Sequence, residues 1–294
     1  MQIGRKEVFK YYQDRFAEIC KKLGGEQYAQ KRVDRKPDKK GNLSDYYHET
    51  HFSTIQKALA SGDVCLDLGC GLGDLTAILG NYYNKVIGTD LSITALQYAV
   101  KYHKNSRSAF LAANACEQPF KNNTFDFVLL SEVIEHILPE ESQRTINEIF
   151  RILKPGGKVL ITTQNKMELH RLLLDLLILM SSKLLGINPF QLKAKLFRKY
   201  VRIFGLRCYT LQSIESSGFS EHINVLSPRA LKKQIERGGI IIAADVQTVK
   251  PLWESPFYRY PFLVKFLVLL EKFIKRTGFG FFFLSNLVFL TEKR

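Results

Sequence analysis

The chain is poor in cysteine in any arrangement that chemistry uses. Its five cysteines (Cys20, Cys65, Cys70, Cys116 and Cys208) are odd in number, scattered, and include no Cys-x-x-Cys pair. That pattern excludes a disulfide scaffold and argues against a zinc knuckle or redox dithiol; it reads as reduced thiols in a cytoplasmic protein. Long apolar runs are missing too. No stretch reaches the ~18 uninterrupted apolar residues of a membrane span. Leu172–Leu179 is broken by Asp175, Phe262–Leu270 by Lys265, and Phe279–Leu290 by Ser285 and Asn286. The opening Met-Gln-Ile-Gly-Arg-Lys-Glu lacks the apolar run of a signal peptide. A spanning protein is therefore not expected, although one resting on a membrane face is compatible with these runs.

Acidic residues are the third shortage. There are 28 Asp and Glu against 43 Lys and Arg, a net charge of +15. Such an excess suits a polyanionic partner, either nucleic acid or an anionic membrane surface. It is also uneven: from Gln164 onward there are 21 basic and 9 acidic residues, so 12 of the 15 charges lie there. With 46% hydrophobic and 24% charged residues over 294 positions, the chain is an ordinary globular sequence able to bury a large core.

Along the chain, Val8, Phe9, Tyr12, Phe16, Ile19 and Leu23 recur at helical spacing before Gly24-Gly25. A basic linker follows over 31–42, then a second helix over about 45–60. Strands and helices then alternate. Strands are expected at Val64–Leu68, Lys85–Asp90, Ala109–Ala113, Phe127–Leu130 and Val159–Thr163. Helices are expected at Leu75–Asn81, at Ile93–His103 with Ser92 as N-cap, and after Pro139. Lys154-Pro155-Gly156-Gly157 reads as a turn. This rhythm predicts a doubly wound, mostly parallel α/β sheet. Residues 164–220 break it, and it resumes with a helix at Pro228–Arg237 and strands at Ile240–Val246 and Leu287–Thr291. Four parts result: a helical cap (1–60), a ligand-binding core (61–163), an amphipathic insertion (164–220) and a segment completing the sheet (221–294).

The sharpest motif is Val64-Cys65-Leu66-Asp67-Leu68-Gly69-Cys70-Gly71-Leu72-Gly73, a strand running into Gly-x-Gly-x-Gly. Glycines let a backbone pass close beneath a ligand. A dinucleotide fingerprint would need glycine at 74, where Asp stands. Asp67 would repel a pyrophosphate but suits a cationic amino group. Asp90, at the end of the second strand, can accept both hydroxyls of a ribose. A nucleoside with a cationic amino-acid tail, S-adenosylmethionine, fits these groups better than NAD.

At these residues the chain resembles the class I S-adenosylmethionine-dependent methyltransferases. Asp67–Gly73, Gly88-Thr89-Asp90-Leu91-Ser92, Phe125-Asp126-Phe127-Val128 and Leu153-Lys154-Pro155-Gly156-Gly157 occur in that family's order and spacing. The resemblance implies a seven-stranded Rossmann-like sheet with the cofactor at the carboxyl ends of its strands. It assigns cofactor binding to Asp67, Gly69, Cys70, Gly71, Gly73, Asp90, Leu91, Asn114, Ala115 and Ser131, with Phe120 flanking the adenine ring.

After the fourth strand comes Ser131-Glu132-Val133-Ile134-Glu135-His136. If helical, Glu132, Glu135 and His136 would share one face. Two carboxylates and an imidazole suit a hard cation such as Mg²⁺. The turn resembles that of ubiquinone-biosynthesis O-methyltransferases and of small-RNA 2′-O-methyltransferases, which implies a metal on Glu132, Glu135, His136 and a later histidine, here His222. Equally, His136 can orient the acceptor or act as a base with no metal.

The insertion mixes leucines with bases. Between Lys183 and Arg207 there is no acidic residue. Basic residues beside large apolar ones suit an interfacial helix on anionic lipid, and a substrate lid or dimer seam suits them as well. The leucine run favours lipid over RNA. The expected activity is methyl transfer to a hydroxyl or other nucleophile of a hydrophobic small molecule. RNA ribose methylation and a non-catalytic scaffold at a membrane are the rivals.

Overall fold

The computed structural model describes residues 5–22, 53–59, 62–165, 223–247 and 286–294, with isolated positions between them. The linker, most of the 164–220 insertion and most of residues 248–285 lie outside the described residues, as do His48, His51, His170 and His222.

The sheet has seven strands: β1 (Val64–Leu68), β2 (Lys85–Asp90), β3 (Ser108–Ala112), β4 (Phe125–Ser131), β5 (Leu153–Gln164), β6 (Gly239–Gln247) and β7 (Asn286–Lys293). Their order is β3-β2-β1-β4-β5-β7-β6. The first five are parallel, and β7 runs antiparallel between β5 and β6. The helices are α1 (Arg5–Lys22), α2 (Asp74–Leu79), α3 (Ile93–His103), α4 (Pro139–Ile152) and α5 (Pro228–Ile235), and residues 53–58 are also helical.

The two faces of β1 show why the sheet is buried on both sides. Leu66 and Leu68 point into a cluster with Ile146, Ile149 and Phe150 of α4 and Leu231 and Ile235 of α5. Cys65 points the other way, to Ile55, Leu79, Tyr83 and Phe127. Period-2 alternation thus feeds two apolar layers, as a parallel sheet covered by helices requires. Each fully buried Leu, Ile or Phe contributes about 1.5–3 kcal/mol. Caps set the helix starts: Ser92 Oγ accepts the Ala95 N–H at 3.3 Å, and Ser227 Oγ the Ala230 N–H at 3.3 Å.

The Pro-Gly-Gly turn sits inside a strand. Phe125 pairs with Leu153 and Phe127 with Lys158, so extra residues bulge out of β5 between two stretches of ladder. Lys154 Nζ meets Asp126 Oδ1 at 2.7 Å, while Asp126 Oδ2 accepts the N–H groups of Asp63 and Val64. Asp126 therefore ties the bulge to the start of β1.

Candidate active site

The glycine bend follows β1 directly. Gly69, Gly71 and Gly73 all have positive φ, at 79°, 51° and 84°. A Cβ at Gly69 would lie 2.4 Å from Val133 Cγ2, so only glycine fits there. The Gly69 and Cys70 N–H groups donate to the Thr89 carbonyl at 2.7 and 2.9 Å, fastening the bend to β2. The Gly71 N–H donates to Asp90 Oδ2 at 2.8 Å, and the Ser92 N–H to Asp90 Oδ1 at 2.7 Å. The Leu91 N–H also bonds this carboxylate, which as a whole keeps capacity for a further donor. Burial raises the Asp90 pKa from its ordinary value, against the lowering effect of these backbone bonds.

Asp67 does something other than the motif suggests. It is 2% exposed and accepts the Thr76 hydroxyl at 2.6 Å. Burial pushes its pKa up to about 7. It lies beneath the bend and not among the groups lining the cavity.

That cavity, of about 520 Å³, opens at the carboxyl ends of β1, β2 and β4. Its floor is Gly69, Gly71, Thr89, Asp90 and Leu91. One wall is Ala113, Asn114, Ala115 and Gln118; another is Glu132, Val133, His136, Ile137, Leu138 and Glu141. Its roof is α1, through Lys6, Phe9, Tyr12, Arg15, Phe16 and Ile19. Those positions are one stripe of a 3.6-residue helix, which is why the apolar pattern of the cap becomes a cover. Gln13 docks the helix: its Oε1 accepts the Thr94 hydroxyl at 3.1 Å and the Thr94 N–H at 3.3 Å. Tyr12 meets the His136 ring edge-on, centroids 5.5 Å apart. Burial drives the Tyr12 phenol well above its ordinary pKa, so it stays protonated.

Asn114 Oδ1 accepts the Cys116 N–H at 3.2 Å, and the Asn114 carbonyl accepts Gln118 Nε2 at 2.8 Å. Arg151 grips this loop from α4: it pairs both Glu148 oxygens at 2.7 and 2.8 Å and donates to the Gln118 carbonyl at 3.1 Å. Glu148 in turn accepts the Gln118 N–H at 2.8 Å. Of the residues expected to hold the cofactor, Gly69, Gly71, Asp90, Leu91, Asn114 and Ala115 meet at the cavity. Asp67, Cys70, Gly73 and Ser131 support it from behind. Ser131 Oγ pairs with Thr162 Oγ1 at 3.2 Å. Phe120 packs edge-on against Phe125 in the core, centroids 4.9 Å apart, and does not line the cavity. Gln13 and Gln118 carry no motif that would have marked them, and Tyr12 showed only as one position of the α1 stripe.

The expected metal-binding face is not formed. The turn is a short 3-10 helix, Ile134–His136, preceded by Glu132 at φ 56°. This geometry parts the three side chains. Glu132 and His136 face the cavity, whereas Glu135 is fully buried and accepts the Thr163 hydroxyl at 2.8 Å. Among the described residues, no group of three His, Cys, Asp or Glu side chains is placed to hold a metal ion. The fourth expected ligand, His222, lies outside the described residues.

Residues 66–161 match the family described as a methyltransferase domain. Over that stretch, about a third of the chain, the sequence is similar to class I methyltransferase domains. Over 107 residues it is 35% identical to phosphoethanolamine N-methyltransferase of Triticum aestivum, covering 35% of this chain and 21% of that protein. A sterol 24-C-methyltransferase of Schizosaccharomyces pombe is 33% identical over 37% of this chain and 30% of its own length. A demethylmenaquinone methyltransferase of Symbiobacterium thermophilum is 33% identical over 42% and 48%. The match thus spans less than half the length of these relatives. Among solved structures, a protein of Pyrococcus horikoshii superposes with TM-score 0.52 at 16% identity, covering 90% of this chain and 98% of its own. An S-adenosylmethionine-dependent methyltransferase from Mesorhizobium loti does so with TM-score 0.52 at 14% identity, over 83% and 97%. At these identities the likeness is one of fold.

The cavity's floor fits S-adenosylmethionine on its own chemistry. At Gly71 only Phe16 comes within 4 Å of an added Cβ, at 3.4 Å, so the bend is open to the cavity there, and Asp90 offers its carboxylate beside it. Leu91 and Ala115 add apolar surface and Asn114 a polar edge.

Proposed function

We propose that the protein transfers a methyl group from S-adenosylmethionine to a hydroxyl, or another nucleophile, of a hydrophobic lipid- or quinone-like small molecule. One observation carries this reading. The cavity that begins at Gly69, Gly71 and Asp90 continues, under the aromatic stripe of α1, to Tyr12, Glu132 and His136. Donor and acceptor ends are thus one covered space.

When bound, S-adenosylmethionine supplies the electrophilic methyl group. The chain's own task is to position and to exclude water, which in-line displacement rewards. Asp90 and the bend hold the adenosyl end. His136, with Tyr12 against its ring, and Glu132 face the acceptor and are the groups able to orient or take its proton. Phe9, Val133, Ile137 and Leu138 line the acceptor end with apolar surface. The names of the sterol and demethylmenaquinone relatives support a hydrophobic acceptor.

The amphipathic 164–220 segment would bring the enzyme to an anionic lipid surface where such acceptors reside. No helix among the described residues is long and apolar enough to cross a membrane. The test is incubation with S-adenosylmethionine bearing a labelled methyl group, together with a total lipid extract or total RNA. Label in the organic phase supports the reading. Label in RNA only would replace it with ribose methylation, and label in neither would favour a scaffold.

A further inference from the structure

Glu132 has a backbone that its residue type seldom adopts. Its φ is 56°; the other non-glycine residue with positive φ among the described residues is Asn123, of a type that tolerates it. A strained non-glycine residue at a cavity rim persists because surrounding contacts over-determine it, and it points to a role there. Those contacts are specific. The Glu132 N–H donates to the Thr162 carbonyl at 2.9 Å, continuing the β4–β5 ladder by one bond. Its carboxylate, Oε1, then accepts Asn286 Nδ2 at 3.2 Å, a contact between residues 154 positions apart.

Asn286 is a rigid support. It is 1% exposed and stands in register with Gln164 of β5 and Gln247 of β6, so β7 is flanked on both sides there. The neighbouring turn is pinned as well: Asn224 donates through its N–H to the Glu135 carbonyl at 2.9 Å and through Nδ2 to the Ile134 carbonyl at 3.2 Å. Glu132 is also next in sequence to Val133, whose side chain closes against Gly69 of the bend. Glu132 lines the same cavity as Gly69, Gly71 and Asp90, where the donor would lie.

We propose that Asn286 is a positioning residue that holds the Glu132 carboxylate toward the transferring methyl group and its acceptor. This rests on the methyltransferase reading. A carboxylate fixed there accepts a hydrogen bond from the acceptor's O–H or N–H and favours positive charge at the reacting centre. The asparagine contributes the only geometry an unstrained glutamate would lack: a fixed direction.

The test needs no knowledge of the acceptor. Sinefungin carries a protonated amine where the donor carries its methyl-bearing sulfur, and S-adenosylhomocysteine has no charge there. Calorimetry on the full chain should show sinefungin binding more tightly than S-adenosylhomocysteine. Glu132→Gln should abolish that preference. Asn286→Leu and Asn286→Ala should lower it about tenfold, the scale of one charge-assisted contact, while leaving S-adenosylhomocysteine affinity within about twofold. A wild-type preference retained in both Asn286 variants overturns the proposal. So does equal loss of both ligands, which would make Asn286 a brace of the fold alone, and so does the absence of any preference in the wild type. Failure of the wild type to bind S-adenosylhomocysteine is a different result, and it removes the methyltransferase reading itself.

Discussion

Asp90 and Gly71 are joined by a hydrogen bond of 2.8 Å from the glycine N–H to the carboxylate. The strand end that would hold a ribose and the bend that would pass under the sulfonium are thus one rigid rim. Replacing Asp90 by Ala should weaken S-adenosylhomocysteine binding at least about 30-fold, roughly 2 kcal/mol, as charge-assisted bonds imply. The same change should leave the far-ultraviolet circular dichroism unaltered. Binding should also fall on the acid side. The ionised form is present above the folded pKa, burial raises that pKa, and affinity is lost as pH falls through it.

Asp67 gives the opposite sign for stability. Its carboxyl titrates near 3.8 in an open chain and near 7 in the folded protein. The folded state therefore keeps a proton that the unfolded chain has released. The stabilisation is complete below pH 3.8 and is lost as pH rises toward 7. The wild-type melting temperature, without cofactor, should drop between about pH 5 and 8 by more than that of Asp67→Asn. The difference corresponds to roughly 2–4 kcal/mol. Parallel profiles for the two proteins would contradict this.

The glycines of the bend should differ in cost. Alanine at Gly69 meets Val133 Cγ2 at 2.4 Å, whereas at Gly71 the nearest atom is Phe16 Cζ at 3.4 Å. Both pay for positive φ, about 1 kcal/mol. Only Gly69→Ala adds a clash, so its melting temperature should fall well below that of Gly71→Ala in thermal denaturation.

Arg151 should matter for the donor without touching it. Arg151→Ala frees the Gln118 carbonyl and Glu148 Oε2 and leaves Glu148 Oε1 only the Gln118 N–H, loosening the loop beside Asn114. S-adenosylhomocysteine affinity should fall about three- to tenfold, since a partly exposed pair braces the loop only modestly. Arg151→Lys should restore little of it, because one ammonium cannot span both carboxylate oxygens and the carbonyl.

Loosening α1 should change exchange more than affinity. Gln13→Ala removes the contacts to Thr94 and Ser92. The helix would then lift more often, and release of S-adenosylhomocysteine in stopped-flow displacement should accelerate several-fold.

The sheet was legible because its signals are local: alternation, a glycine bend, and caps such as Ser92. The β5 bulge was not, because Pro155 and Gly156-Gly157 carry turn chemistry whether or not the ladder resumes at Lys158. The expected Glu132, Glu135 and His136 face failed because i, i+3, i+4 spacing holds only in an α-helix. One positive φ at Glu132 and a 3-10 turn send Glu135 to Thr163 instead. Asn286, Gln13 and Gln118 escaped notice since their importance lies in partners distant in sequence or carried by backbone atoms. The stripe on α1 was visible, but periodicity names a buried face without naming what it covers.

The placement of β7 between β5 and β6 has a consequence for synthesis. A nascent chain that has emerged only as far as β6 holds five mutually paired strands and a sixth with no neighbour to join. Glu132 likewise waits without the amide that aims it. Ribosome-bound intermediates should therefore expose the outer edge of β5, and chaperones that recognise unpaired strands would have their window there until β7 closes it.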